Sequence, residues 1–237
     1  MPEQQAAEQR RADGSQTLER GLVALRLLAE APQGLGASEI ADRLGIHRSM
    51  AYRLLTTLTR QDFAARDSAG RYRIGLSFFT LAEQVRPPLL DIAQPVLREL
   101  AGRLGATACL VVPENEHAVA VAVIEPPGSG PRFSYRVGNR DPLDRGAAGI
   151  AMLAAGPALA GEPERVGAAR LAGYAVTHEE IVPGTFGIAA PIRTPGNIQS
   201  AAVNVITHSR ELSERAVPLV VAAAERITRL LADPSTP

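Results

Sequence analysis

Arg48, Ser49, Tyr52 and Arg53 fall on the polar side of a predicted amphipathic helix whose other side carries Ala51, Leu54, Leu55 and Leu58. Side chains of these types can read a nucleic acid. Arginine binds guanine bidentately, serine is adaptable, and tyrosine reaches a phosphate or a thymine methyl. His47 stands just before them, and Thr56 and Thr57 follow where phosphate contacts are expected. Farther along, Arg66, Arg71 and Arg73 flank a predicted hairpin and are expected to grip phosphates rather than bases.

These residues need a scaffold, and the flanking sequence supplies one. In ASEIADRLGIHRSMAYRLLTTLTR, residues 37–60, two short amphipathic segments meet at Gly45. That is the build of a helix-turn-helix, which lays its second helix in a DNA major groove. Ser38 is expected to cap the first segment, with Ile40, Ala41 and Leu44 facing inward. A preceding helix over Thr17–Ala31 carries Leu18, Leu22, Leu25 and Leu28 at helical spacing and ends at Pro32 and Gly34. FAARD, SAG and RYRIG read as strand, turn and strand. A hairpin directly after a recognition helix is a wing, so residues 15–75 are expected to form a winged helix-turn-helix. Residues 1–14 are polar and read as a disordered tail.

Residues 76–88 are expected to form a linker helix interrupted by Pro87 and Pro88, and a helix over Leu89–Leu104 opens the second domain, 89–237. Strands at 106–112 and 117–125 flank the turn PENE, and a third is expected over Arg132–Val137. The run AVAVAVI puts Val119, Val121 and Val123 on one face and Ala118, Ala120 and Ala122 on the other, leaving space for a helix or a ligand. Helices at 146–155 and 162–172, strands at 174–177, 186–192 and 198–206, and a long helix over Ser213–Leu231 complete the reading. Helices mixed with antiparallel hairpins make the class α+β.

Composition narrows the function. The 237 residues carry no net charge, yet Ser15–Thr80 holds nine arginines against six acids, so positive charge gathers where the helix-turn-helix lies. Every basic residue is arginine; compositional drift explains that, although arginine is also the stronger phosphate ligand. Cys109 is the sole cysteine and lies in the apolar run ACLVV, so a core thiol is expected and a cysteine-rich metal site is excluded. The chain has no signal peptide and no apolar run long enough to span a membrane, which predicts a cytoplasmic protein with no membrane partner. His178, Glu179 and Glu180 form the most tempting catalytic cluster. Adjacent residues point different ways and no second histidine stands at ligand spacing, so a polar loop is expected, with no metal and no catalytic residue. Gly146, Gly149 and Gly156 make no nucleotide-binding pattern, and no cofactor is expected.

Taken in order, these segments resemble the IclR family of bacterial transcription regulators over about residues 15–232. SQTLERGLVALRLL is similar to that family's opening helix, GASEIADRLGIHRSMAYRLLTTL to its helix-turn-helix and RDSAGRYRIGLS to its wing. YRVGNRDPLDRGAAGIAML resembles its strand-to-helix segment, and GYAVTHEEIVPGTFGIAAPI its late pocket signature.

The resemblance implies a winged helix joined by a linker helix to a GAF-like effector domain with an antiparallel sheet. It implies a repressor or activator, typically of catabolic genes, that binds a double-stranded operator as a homodimer or homotetramer. Effector binding is then expected to act through the helical stretch 76–104 on how the DNA-reading heads are held. Family members that bind small carboxylates offer them backbone N–H groups, here at Gly146, Ala147, Ala148 and Gly149. This chain departs elsewhere. Gly187 stands where a cysteine is usual, Thr177 where an acid is usual, and Asn204 and Ile206 where small hydroxyl residues are usual. The departures imply a bulkier, neutral or aromatic effector met by Asn204, Thr177 and Thr185, with Phe186 or Met152 as apolar walls. Two other readings of the second domain stay open: an enzyme, and an oligomerisation module that binds no ligand.

Overall fold

The computed structural model describes residues 14–85, 88–126, 135–193 and 201–233. The expected tail, apart from Gly14, lies outside them, as does the first half of the strand expected over Arg132–Val137. The chain divides into two compact units, Met1–Arg86 and Pro87–Pro237.

In the first unit, α1 spans Gln16–Ala29, and its N-cap Ser15 accepts the Leu18 N–H through Oγ at 3.4 Å. Of the leucines at helical spacing, Leu28 is buried but Leu18 and Leu22 are not. Leu18 and Leu22 are 64% and 53% exposed, while Gly21, Ala24 and Leu28 face the core. The small residues let the helix lie close to its neighbours and turn the larger side chains outward. Helix α2 spans Ala37–Leu44, and its cap is Gly36 rather than Ser38. The Glu39 carboxylate reaches back to accept the Gly36 N–H at 2.7 Å, so the carboxylate satisfies the helix end from inside it. Gly45 ends α2 at φ 61°, the left-handed conformation a glycine reaches without a Cβ penalty. Helix α3 follows over Arg48–Arg60 and buries Ala51, Leu54 and Leu55.

Strands β1 (Ala64–Arg66) and β2 (Tyr72–Ile74) form the antiparallel wing. Asp67 Oδ1 closes its turn by accepting the Ala69 and Arg71 N–H groups at 3.0 and 2.9 Å. Leu35 and Tyr72 exchange backbone hydrogen bonds, so the wing also pairs with the loop before α2. Helix α4, Ser77–Val85, ends this unit, with Phe78 edge-on to Phe63.

The second unit is a three-layer sandwich. Helix α5 (Pro88–Leu104) leads into β3 (Thr107–Glu114), β4 (His117–Ile124) and β5 (Arg140–Pro142). Then come α6 (Gly146–Ala155), α7 (Glu164–Ala172), β6 (Ala175–His178), β7 (Phe186–Ile192), β8 (Ala201–Thr207) and α8 (Arg210–Ala232). The sheet order is β5-β4-β3-β8-β7-β6, every neighbour antiparallel. One face packs Leu110, Ile188 and Val203 against Leu97 of α5 and Val220 of α8. The other packs Val111, Ala120 and Ala202 against Ala147 and Ile150 of α6 and Val166 of α7.

Two expectations for this sheet need correction. Tyr135–Gly138 are not strand, and the edge strand is β5, three residues on. A register shift between Leu110 and Val111 also breaks the alanine face of β4. Ala118 and Ala120 face α6, whereas Ala122 joins the core on the opposite side. The small pair keeps α6 close to that part of the sheet, where the cavity described below lies.

Candidate nucleic-acid interface and ligand pocket

Helix α3 turns its polar side outward. His47, Arg48, Ser49, Tyr52 and Arg53 are exposed and line a concave surface completed by the N-terminus of α2 and by Arg66 of the wing. His47 has a second task. Its Nδ1 caps α3, lying 3.3 Å from the Ser49 N–H and 2.8 Å from Ser49 Oγ. Accepting at Nδ1 places the proton of a neutral ring on Nε2, which makes that atom a donor.

The remaining residues expected at the interface do not share that surface. Thr56 and Thr57 are exposed, but their hydroxyls donate to the Tyr52 and Arg53 carbonyls at 2.8 and 3.1 Å. A phosphate accepts only, so each would have to break an intrahelical bond to meet one. Arg71 is engaged within its own unit. Its guanidinium donates to the Gln33 and Gly34 carbonyls, at 2.6 Å for the shortest, and lies 3.4 Å from Glu39. Arg73 lies 3.6 Å from Asp67. Arg66 is the wing arginine that lines the concave surface, its guanidinium 5.5 Å above the Tyr72 ring.

In the second unit a cavity of about 40 Å3 lies between the sheet and the start of α6. Ala147, Ala148, Thr177, Thr185, Gly187, Asn204 and Ile206 all line it. Met152 and Phe186 do not. Met152 faces the core between α6 and the sheet. Phe186 lies on the opposite face, stacked on His178 at 4.1 Å with Arg210 above it.

Gly187 does not open the space expected of it. A Cβ there would lie 3.1 Å from Thr177 Oγ1 and 3.3 Å from Ala147 Cβ, so α6 has moved in rather than left a void. Gly149 permits a similar approach, its missing Cβ falling 2.2 Å from the Leu143 carbonyl. An apolar cavity of about 150 Å3 holds a benzene ring. The present cavity therefore takes a polar head group as it stands, and a ring needs the loop over residues 179–185 to shift.

Tyr135, Asp141 and Glu180 are among the cavity residues that sequence reasoning missed. Tyr135 donates from its hydroxyl to Asp141 Oδ2 at 2.9 Å, and both line the cavity. Burial pushes the Asp141 carboxyl above its usual range, and the Tyr135 hydrogen bond partly offsets that. The same burial, with the nearby Asp141 charge, pushes the Tyr135 hydroxyl up as well. Glu180, expected to be loop surface, caps α6. Its Oε2 accepts the Gly146 N–H at 2.8 Å, and Arg165 lies 3.2 Å from its Oε1. The signal for Asp141 was in the string RDPLD, an acid beside a strand-breaking proline, but nothing local shows that it faces inward. Asn204 is 6% exposed, and its Oδ1 has no hydrogen-bond partner among the described residues. Cys109, its cross-strand neighbour, is fully buried, and burial pushes its thiol well up, which leaves it unreactive. Among the described residues no group of histidines, cysteines and acids could hold a metal ion, and no helix is long and apolar enough to cross a membrane.

Comparison with known proteins follows the same division. Residues 17–68 match the IclR helix-turn-helix domain, and residues 84–162 match the bacterial transcriptional regulator IclR C-terminal domain. An HTH-type transcriptional regulator of Mycobacterium tuberculosis is 35% identical over 156 residues, 65% of this chain and 58% of that protein. The DNA-binding transcriptional repressor YiaJ of Escherichia coli is 29% identical over 64% of this chain and 55% of its own length. The chain thus spans little more than half of each of these relatives. An IclR regulator of Alicyclobacillus acidocaldarius superposes with a TM-score of 0.77 at 26% identity, covering 91% of this chain and 98% of that one. An IclR homologue of Microbacterium hydrocarbonoxydans, complexed with 4-hydroxybenzoate, gives 0.80 at 23% identity over 91% of this chain and 99% of that one.

Proposed function

We propose, from the premise that this chain belongs to the IclR family of DNA-binding transcriptional regulators and is not an enzyme, that it is an effector-controlled repressor of catabolic genes. The observation that carries the reading is the outward face of α3. Arg48, Ser49, Tyr52 and Arg53 stand exposed on a helix whose opposite face is buried. That helix enters the major groove, Arg66 meets the backbone, and the operator is roughly palindromic because the protein binds it as a homodimer or a dimer of dimers. Exposed Leu18 and Leu22 on α1, with Leu76 and Phe79 near α4, supply apolar surface in the same unit for pairing of protomers.

The second unit is a GAF-like effector domain in the cytoplasm. Its effector is a neutral or aromatic compound whose polar head enters the cavity at Asn204, Thr177 and Thr185. Such a ligand shifts operator affinity only by its differential affinity for two arrangements of the protein. The small cavity volume favours a second reading, in which this unit only joins protomers. The unpartnered Asn204 Oδ1 argues against it, since a solid interface leaves no buried acceptor unmet. Selection of bound sequences from a randomised duplex pool tests the proposal. Enrichment of an inverted repeat supports it, and a pool that stays random after successive rounds rejects it.

A further inference from the structure

The groups that face the cavity are unevenly sorted. Asp141 and Asn204 both present acceptors. Asp141 Oδ2 already holds the Tyr135 hydroxyl, and its other oxygen remains able to accept. Asn204 Oδ1 is buried with no donor among the described residues. Ala147 and Ala148, which also line the cavity, lie in the first turn of α6, where backbone N–H groups have no intrahelical acceptor. The Glu180 carboxylate has taken the Gly146 N–H, so the helix start is already partly neutralised by this chain's own acid.

From this sorting we infer that the cavity is built for a small uncharged amide, whose N–H groups are accepted by Asp141 and Asn204 and whose carbonyl is met by the first turn of α6. The inference rests on the reading of this cavity as the effector pocket. A carboxylate would enter beside Asp141 and Glu180, two groups of its own sign, and would offer Asn204 Oδ1 no donor. Arg145 also lines the cavity, but it is exposed and its guanidinium donates to the Glu180 carbonyl at 2.6 Å. An ammonium would face the positive end of α6 and bring no acceptor to it. An ester or lactone brings an acceptor but no donor, leaving Asn204 as it is. A primary or cyclic amide brings both in one planar group small enough for about 40 Å3.

Thermal unfolding of the full chain tests this with near-isosteric probes at matched ionic strength: propionamide, propionate, propylammonium and methyl acetate. Propionamide at about five times its dissociation constant is expected to raise the midpoint by about 2–4 °C. The other three are expected to give less than half that shift. Asn204→Leu and Asp141→Leu are each expected to lose the propionamide shift while still unfolding cooperatively. A larger shift with propionate or propylammonium, abolished by Asn204→Leu, overturns the amide and leaves the effector pocket standing. A propionamide shift that survives in both variants overturns the assignment of Asp141 and Asn204. No shift with any probe overturns the amide and the pocket together.

Discussion

Asn204→Leu is expected to make the free protein more stable, the opposite of what loss of a buried side chain usually does. Asn204 is 6% exposed, and its Oδ1 makes no hydrogen bond among the described residues. A buried polar group left unsatisfied costs about 1–3 kcal/mol. Leucine removes that group at similar size and meets apolar neighbours, since Cys109 and Ala189 stand in register on the flanking strands. The adjacent cavity of about 40 Å3 absorbs the difference in shape. For a chain of this length each kcal/mol moves the midpoint by about 2–4 °C, so the rise should be about 2–12 °C. Calorimetry of the full chain reads it in the transition of the second unit, because two units need not unfold as one. A midpoint that falls, or does not move, rules out an unsatisfied Oδ1. It would mean that Oδ1 is satisfied in solution and that the cavity is not held open for a donor.

Arg66→Ala is expected to weaken duplex binding and reduce the slope of log affinity against log salt by about 0.9, the loss of one phosphate contact, measured by fluorescence anisotropy. Arg71→Ala, a change of the same charge on the same wing, should leave that slope alone. It should instead lower the stability of the first unit by about 1–2 kcal/mol, because the Gln33 and Gly34 carbonyls lose their donor. Gly149→Ala should lower the midpoint of the second unit, since the added Cβ runs into the Leu143 carbonyl and α6 must move away from the segment that enters it. Asp141 has a folded-state pKa above its unfolded one, so its share of stability is present below the unfolded value and is lost as pH rises through the folded value. Tyr135→Phe removes the hydrogen bond that holds that pKa down and should move the Asp141 titration upward, as followed by carboxyl-carbon NMR.

What could be read from the sequence was what short-range chemistry decides. The turn at Gly45, the buried stripe of α3 and the wing turn at Asp67 each depend on a few neighbouring residues. The line from Gly146 to Ala155 was legible because a run of small residues ending in glycine suits a closely packed helix. Readings that required knowing what lies opposite went astray. The leucines of α1 have the spacing of a core stripe, but the core took Ala24 and Leu28 and left Leu18 and Leu22 outside. Arg71 has the charge of a phosphate ligand, yet two carbonyls far back in the chain claim it. Loss of a side chain at Gly187 suggested space, and α6 closed on it instead. The β4 bulge, which sends Ala122 to the other face, comes from pairing register that no local pattern shows. Asp141 and Glu180 were hidden for the same reason, each meeting its partner across a loop or a strand.

Whether α3 reads a specific DNA sequence is tested by anisotropy titrations of the full chain, comparing its selected duplex with an unrelated duplex of equal length at fixed salt. The unaltered chain should favour the selected duplex by at least about 1000-fold. Arg53→Ala should cut that preference by about 5- to 150-fold, the effect of losing one bidentate base contact worth about 1–3 kcal/mol, while lowering affinity for the unrelated duplex far less. Equal affinity for both duplexes, or a preference untouched by Arg53→Ala, would contradict the account.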